Sequence, residues 1–203
     1  MKLVLTAIVV LLSALSSASA EDLRQLRDQC APTASLVTLS AIVSAESSGN
    51  PNALQLDFPR SLLRRWRLPP GALRLMRQPS SAEEALEWID YLNTRHISVD
   101  VGLMQVSTNE AARRHIPAAA LLDPCTNVRT GWAILSDDYQ IEMRDYGPGQ
   151  AALQHALSRY NTGDTNKGID NGYLAHVMAA QKRLASVPDP NQSRSVQHPG
   201  GQK

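Results

Sequence analysis

The chain has 203 residues, with 20 basic and 19 acidic side chains, five histidines and two cysteines. That length suits one domain of about 100–200 residues with a real hydrophobic core. The near-balanced charge argues against bulk nucleic-acid binding, which needs a strong positive field.

The first twenty residues read as an export signal. Lys2 gives a short positive start, Leu3 to Leu12 is apolar except for Thr6, and the segment ends Ala18-Ser19-Ala20 before Glu21. Small residues at that point suit a cleavage site. The apolar run is too short to span a bilayer comfortably, which takes about 20 apolar residues. Removing residues 1–20 takes away Lys2 and no acid, so the remaining chain has 19 bases and 19 acids. The expected product is exported, lies in the periplasm and has no stable membrane insertion. In an oxidising compartment the even cysteine count favours a Cys30–Cys125 disulfide over two buried thiols.

The rest of the chain reads as mainly helical. Thr33 after Pro32 is a plausible N-cap for a helix that runs to about Ser48 and stops at Gly49-Asn50-Pro51. Residues 52–78 are rich in Arg and Pro and lack helical period. There Arg64 to Leu68 and Leu73 to Arg77 flank Pro69-Pro70-Gly71, a pattern for a small hairpin insert. A helix at about 82–94 follows, with Ser80 and Glu83, or Ser81 and Glu84, as a capping box. A short helix begins near Ser107, and a longer one at Asp123-Pro124, where Val128, Trp132, Leu135 and Tyr139 recur at helical spacing. Gly147-Pro148-Gly149 ends it. Gln150 to about Tyr160 is helical, and Asp170-Asn171-Gly172 opens a last helix. The polar, Pro- and Gly-rich residues 186–203 read as a disordered tail, leaving 21–185 as the folded domain.

On a wheel of the first helix, Leu36, Leu39, Ile42 and Val43 share one arc, and Glu46 falls inside it. An ionised group is costly on an apolar face, and burial raises a carboxyl's pKa. A carboxylic acid still protonated near neutral pH suits general-acid catalysis. By itself the position fits equally well a half-exposed Glu at a fraying helix end. The five histidines, His96, His115, His155, His176 and His198, form no ligand-spaced cluster, so a metal centre is not expected. No Gly-x-Ser-x-Gly elbow occurs, and Asn166-Lys167-Gly168 lacks the frame of a phosphate loop.

Three segments follow in order: Glu46-Ser47-Ser48-Gly49-Asn50-Pro51, Asp100-Val101-Gly102-Leu103-Met104-Gln105, and Ser158-Arg159-Tyr160-Asn161-Thr162-Gly163. Together they resemble the motifs of lysozyme-like lytic transglycosylases of the soluble murein-cleaving type. The Arg-rich insert and the Asp before Gly-Leu-Met-Gln resemble the subgroup that accompanies type IV secretion and conjugal transfer systems. The resemblance implies a lysozyme-like (goose-type or transglycosylase) helical domain with the small hairpin insert. It implies Glu46 as acid/base, oriented by Ser47. Gly102 and Leu103 would form a backbone wall of the glycan groove, Gln105 would bond a sugar substituent, Tyr160 would hydrogen-bond near Glu46, and Asn161 would brace the site. Met104 is read as packing.

The implied substrate is peptidoglycan glycan strands, cleaved between muramic acid and glucosamine residues with formation of a 1,6-anhydro end, without metal or organic cofactor. The implied partners are secretion-system subunits. Water-using glycosidases need two carboxyls. Asp57, Asp100, Asp138 and Asp164 are candidate seconds, Asp100 the best of them, but no motif fixes any of them in the groove. A water-using muramidase and a non-catalytic wall-binding assembly protein are the rival readings. Arg60, Arg64, Arg65, Arg67, Arg74 and Arg77 read either as a solvated face or as a contact for acidic wall components or a secretion subunit.

Overall fold

In a computed structural model, residues 20–57, 67 and 75–186 are described. The order is α1 (Ala20–Cys30), α2 (Leu36–Glu46), β1 (Leu54–Asp57), α3 (Ala82–Asn93), β2 (Ser98–Val101), β3 (Val106–Ser107), α4 (Thr108–Arg113), a 3-10 turn (Ala118–Leu122), α5 (Pro124–Tyr146), α6 (Gln150–Thr162), α7 (Lys167–Asp170) and α8 (Tyr173–Ala185). The mainly helical, lysozyme-like expectation holds. Most of the hairpin expected within residues 64–77 lies outside the described residues, and its described end, residues 75–77, is not strand; the signal segment 1–20 up to residue 19 and the tail 186–203 from residue 187 also lie outside them.

Helix ends follow local chemistry. Asp123 and Ser81 cap α5 and α3 as the sequence suggests, each side chain accepting from the backbone N–H three residues on. Of the two capping-box registers, Ser81 with Glu84 forms by half: Ser81 Oγ accepts from Glu84 N–H, but no bond returns to Ser81 N–H. The Glu84 carboxylate turns back to Ser80 N–H at 2.9 Å and pairs with Arg77 at 2.7 Å. Arg77 therefore has an intramolecular partner, whereas Arg60, Arg64, Arg65 and Arg74 lie outside the described residues. The N-cap of α2 is Ser35 rather than Thr33, its side chain accepting from Thr38 N–H at 3.4 Å. Both are good caps by type. Residues 32–34 instead form a turn held by Ala34 N–H to Ala31 O at 2.8 Å.

Besides the 3-10 turn and the short α7, two features were not anticipated. Cys30 ends a helix, α1, rather than lying in a segment before the first one. Its disulfide to Cys125 pins α1 to the start of α5 across 95 residues. The second is a three-stranded antiparallel sheet in the order β1-β2-β3. Leu54 pairs with Val101, Gln55 with Asp100, Asp57 with Ser98, and Asp100 again with Ser107 on the other side. β1 and β3 are too short, and too far apart in sequence, to show as an alternating pattern.

Gly49 and the preceding Ser48 take positive φ, +79° and +53°, and this ends α2. One face of α2 then sinks into a core built from Leu39, Ile42 and Val43, the β2 residues Val99 and Val101, Leu103, Met104, Leu121, Val128 and Leu135, all 2% exposed or less. α2 packs on α8, and α5 on α6. The last residue of α2 is thus delivered to the junction of the sheet with the helical layer. Among the described residues no helix is long and apolar enough to cross a membrane.

Candidate active site

A groove of about 560 Å³ runs along this junction, with Glu46, Asp57, Asp100, Gln105, Tyr160 and Asn161 among its lining residues. It continues between α4 and α5, where Glu110, Arg114 and Asp137 form an ion-pair chain.

Glu46 ends α2 with its carboxyl facing the groove. Burial disfavours its charged form and raises its pKa to about 7, against a smaller lowering by Tyr173. The Tyr173 hydroxyl donates to Glu46 Oε1 at 2.5 Å. Burial, and then the negative charge of Glu46, hold the Tyr173 phenol well above its ordinary pKa, so it remains a donor. Tyr173 opens α8, beyond the three motifs, and nothing in its local sequence marks it. It reaches Glu46 because α8 packs on α2.

Ser47 is held as a bridge. Its hydroxyl donates to Leu103 O at 2.9 Å and lies 3.1 Å from Val43 O, and Gly49 N–H donates to it at 3.2 Å. The end of α2 is in this way tied to the turn 102–105. That turn needs Gly102, whose φ is +79° and whose missing Cβ would collide with the side chain of Asn127. Gln105 also takes a positive φ, +49°. Its amide donates to Ala53 O at 3.0 Å and Gly102 O at 2.9 Å, which leaves its carbonyl oxygen for the groove.

Leu103 is 1% exposed and is not part of the groove lining around Glu46; its contribution there is the backbone oxygen that holds Ser47. Met104 packs in the core, fully buried, as its type suggests. Tyr160 lines the groove, but its hydroxyl donates to Met104 O at 2.7 Å, so the phenol against Glu46 is that of Tyr173. Asn161 lies at the groove edge and accepts from Asn171 Nδ2 at 3.1 Å.

Two supporting residues lie outside the three motifs. Asn127 is 1% exposed and makes three bonds: it accepts from Met104 N–H at 2.8 Å and donates to Val101 O at 2.7 Å and Leu121 O at 2.9 Å. Gly131 sits inside α5, where a Cβ would lie 2.7 Å from Met104 Sδ and 3.0 Å from the Tyr160 hydroxyl. A glycine within a helix costs about 1 kcal/mol relative to alanine, so its presence was the one available sign of a close approach.

The second-carboxylate question changes here. The groove lining includes Asp57, Asp100 and Asp138, whereas Asp164 binds Lys167 at 2.8 Å and caps the backbone of residues 166 and 167. The Asp100 carboxyl is pushed up to about 8, first by burial, then by Asp57 and Glu46. Asp138 is raised to about 6, chiefly by burial, with Arg159 acting against it. Arg159 is itself held by buried Glu142 at 2.7 Å and by Thr165 at 2.8 Å. Among the described residues no group of three or more His, Cys, Asp or Glu side chains is arranged to hold a metal ion.

A carboxylic acid at a helix end, its pKa raised to about 7 beside a groove, is the arrangement expected of a glycan-cleaving domain of lysozyme-like build. Sequence comparison makes the assignment specific: the transglycosylase SLT domain profile matches residues 26–176, and the chain belongs to that family. It is 31% identical over 173 residues to the type IV secretion system protein virB1 of Brucella suis, covering 80% of this chain and 67% of that protein. It is 30% identical over 156 residues to the protein virB1 of Agrobacterium fabrum, covering 77% and 58%. Against the type IV secretion system protein virB1 of Brucella abortus it is 33% identical over 161 residues, covering 76% and 62%. The chain thus spans 58–67% of the length of these relatives. No solved structure matches it significantly.

Proposed function

We propose that the protein is a peptidoglycan lytic transglycosylase that opens the wall locally for a type IV secretion or conjugation apparatus. The observation that carries the reading is the Glu46 carboxyl, recessed in the groove with a pKa of about 7 and oriented by Tyr173. Protonated, Glu46 gives its proton to the oxygen joining a muramic acid residue to the next glucosamine. The bond from the anomeric carbon to that oxygen breaks, and the glucosamine strand leaves as an alcohol. The Glu46 carboxylate then accepts the proton of the sugar's own 6-hydroxyl as O6 bonds to the anomeric carbon. The product is a 1,6-anhydro-muramic acid end. No water is consumed, and Glu46 regains its proton. The intramolecular attack gains from proximity, for which effective molarities are large.

In this scheme Ser47 holds the helix end that carries Glu46. Gly102 and Leu103 shape the turn, Gln105 accepts from a sugar substituent, and Tyr160 and Asn161 line the groove. The physiological form would begin after residue 20 and act in the periplasm, with residues 186–203 as a tail. Secretion-system subunits remain the proposed protein partners, on the strength of the names its relatives carry.

A water-using muramidase is the second reading, because Asp100 lines the same groove. It requires an ionised partner carboxylate while Glu46 is still an acid. Asp100, whose carboxyl is pushed up by burial and by its acidic neighbours, is poorly suited to that part. Digestion of purified peptidoglycan followed by mass analysis separates the readings, since an anhydro end is one water lighter. Glu46→Gln should abolish release of fragments while leaving the fold intact. A variant that still clears the wall would remove Glu46 from the mechanism, and a folded protein that binds glycan without cleaving it would support the non-catalytic rival.

A further inference from the structure

Asp100 sits in the middle strand of the sheet. Its cross-strand neighbours, Gln55 and Ser107, are uncharged. It borders the groove beside Glu46, and Asp57 lies at the end of the adjacent strand. Its flanking residues Val99 and Val101 are buried at 1% and 0% exposed. Among the described residues its carboxyl has neither an ion-pair nor a hydrogen-bond partner. The ionisable groups that act on it are Asp57 from β1 and Glu46 from α2. Tyr160 from α6 and Tyr173 from α8 also face this region, and both are held in their neutral phenol forms.

A half-buried carboxyl that has no protein partner among the described residues and opens on a groove is free to bond what enters it. Ionising it would put a further negative charge next to Glu46 and Asp57, with no cation paired to it among the described residues. In its neutral form the same group is a hydrogen-bond donor aimed into a glycan groove. Resting on the reading of Glu46 as the acid/base, we propose that Asp100 contacts the glycan as a neutral carboxylic acid, donating a hydrogen bond to a hydroxyl or acetamido oxygen beside the bond that Glu46 protonates, rather than acting as an ionised nucleophile or base.

Asparagine keeps the shape and a donor while removing any ionisation, so Asp100→Asn separates the two roles. On purified peptidoglycan strands, Asp100→Asn should keep kcat within about threefold and leave the pH at which activity falls unchanged. Asp100→Ala should raise KM about tenfold, the worth of one hydrogen bond, with a smaller effect on kcat. A loss of kcat in Asp100→Asn as deep as that of Glu46→Gln overturns the proposal, as does a downward shift of its pH profile, because either requires an ionised Asp100. An unchanged KM in Asp100→Ala overturns it as well. Thermal melts check folding, and Asp100→Ser, with a smaller cavity and a shorter reach, replaces the alanine variant if that one does not fold. Activity retained in Glu46→Gln would instead sink the acid/base reading itself, which keeps the two failures distinct.

Discussion

Glu46 has opposing demands on it at the residue scale. Burial makes it an acid near neutrality, and the Tyr173 hydroxyl favours its ionised form. Removing that hydroxyl by Tyr173→Phe should move Glu46's pKa upward, so the alkaline limb of activity, set by loss of the Glu46 proton, moves to higher pH. A rate profile from about pH 5 to pH 9, on either side of the Glu46 pKa of about 7, measures this. A downward move would mean that the phenol does not stabilise the carboxylate.

The same carboxyl has a stability consequence. Its pKa is raised from 4.5 to about 7 on folding, so the folded state holds the proton more tightly. The contribution is fully present below the unfolded value and is lost as pH rises through about 7. It is on the order of 3 kcal/mol. Glu46→Gln should therefore be inactive yet more stable than the native protein at alkaline pH, with the difference shrinking toward acid pH. Denaturant unfolding on either side of neutrality tests this, and equal native stability on both sides would contradict it.

At the scale of elements, the groove depends on how one helix holds one turn. Asn127, in the first turns of α5, bonds the backbone at Val101, Met104 and Leu121. Asn127→Leu would leave these groups unpaired in a buried site and should cost about 2–4 kcal/mol, at about 1–3 kcal/mol for each group that finds no substitute. It should also lower activity, because Ser47 and Gln105 are anchored to the same turn. Unfolding midpoints and fragment release report the two effects separately. Gly131→Ala adds a methyl against Met104 and Tyr160, where overpacking commonly costs about 1–3 kcal/mol. Its helix propensity would change in the opposite direction, so a net stabilisation would show that these neighbours can yield.

Over the whole molecule, the Cys30–Cys125 bridge closes a loop with a sequence separation of 95. It encloses α2, the sheet and the 3-10 turn, and hence the groove wall that carries Glu46 and Asp100. In the chain-entropy picture such a closure stabilises by about 4–5 kcal/mol, with measured values often lower. Replacing both cysteines with serine should lower the melting temperature markedly while leaving activity at low temperature largely intact, since neither cysteine borders the groove. A melt of oxidised and reduced protein measures this directly.

Local patterns determine much of this protein. Caps and breakers set most helix boundaries because a Ser, Asp, Pro or Gly acts on backbone groups only a few residues away. Glu46 was conspicuous because its place on an apolar helical face is a local fact, and Gln105, Tyr160 and Asn161 from the later motifs line the same groove. What lay beyond the sequence depends on pairings across long separations. The sheet joins residues 54–57 to 98–101, and Tyr173 meets Glu46 across 127 positions. Packing directions decide such contacts, and no short window of sequence contains them. The same holds for Asp100: it stood out in sequence only as the acid just before Gly102-Leu103-Met104-Gln105, and its nearness to Glu46 and Asp57, with no paired cation among the described residues, was decided by how the sheet docks against α2.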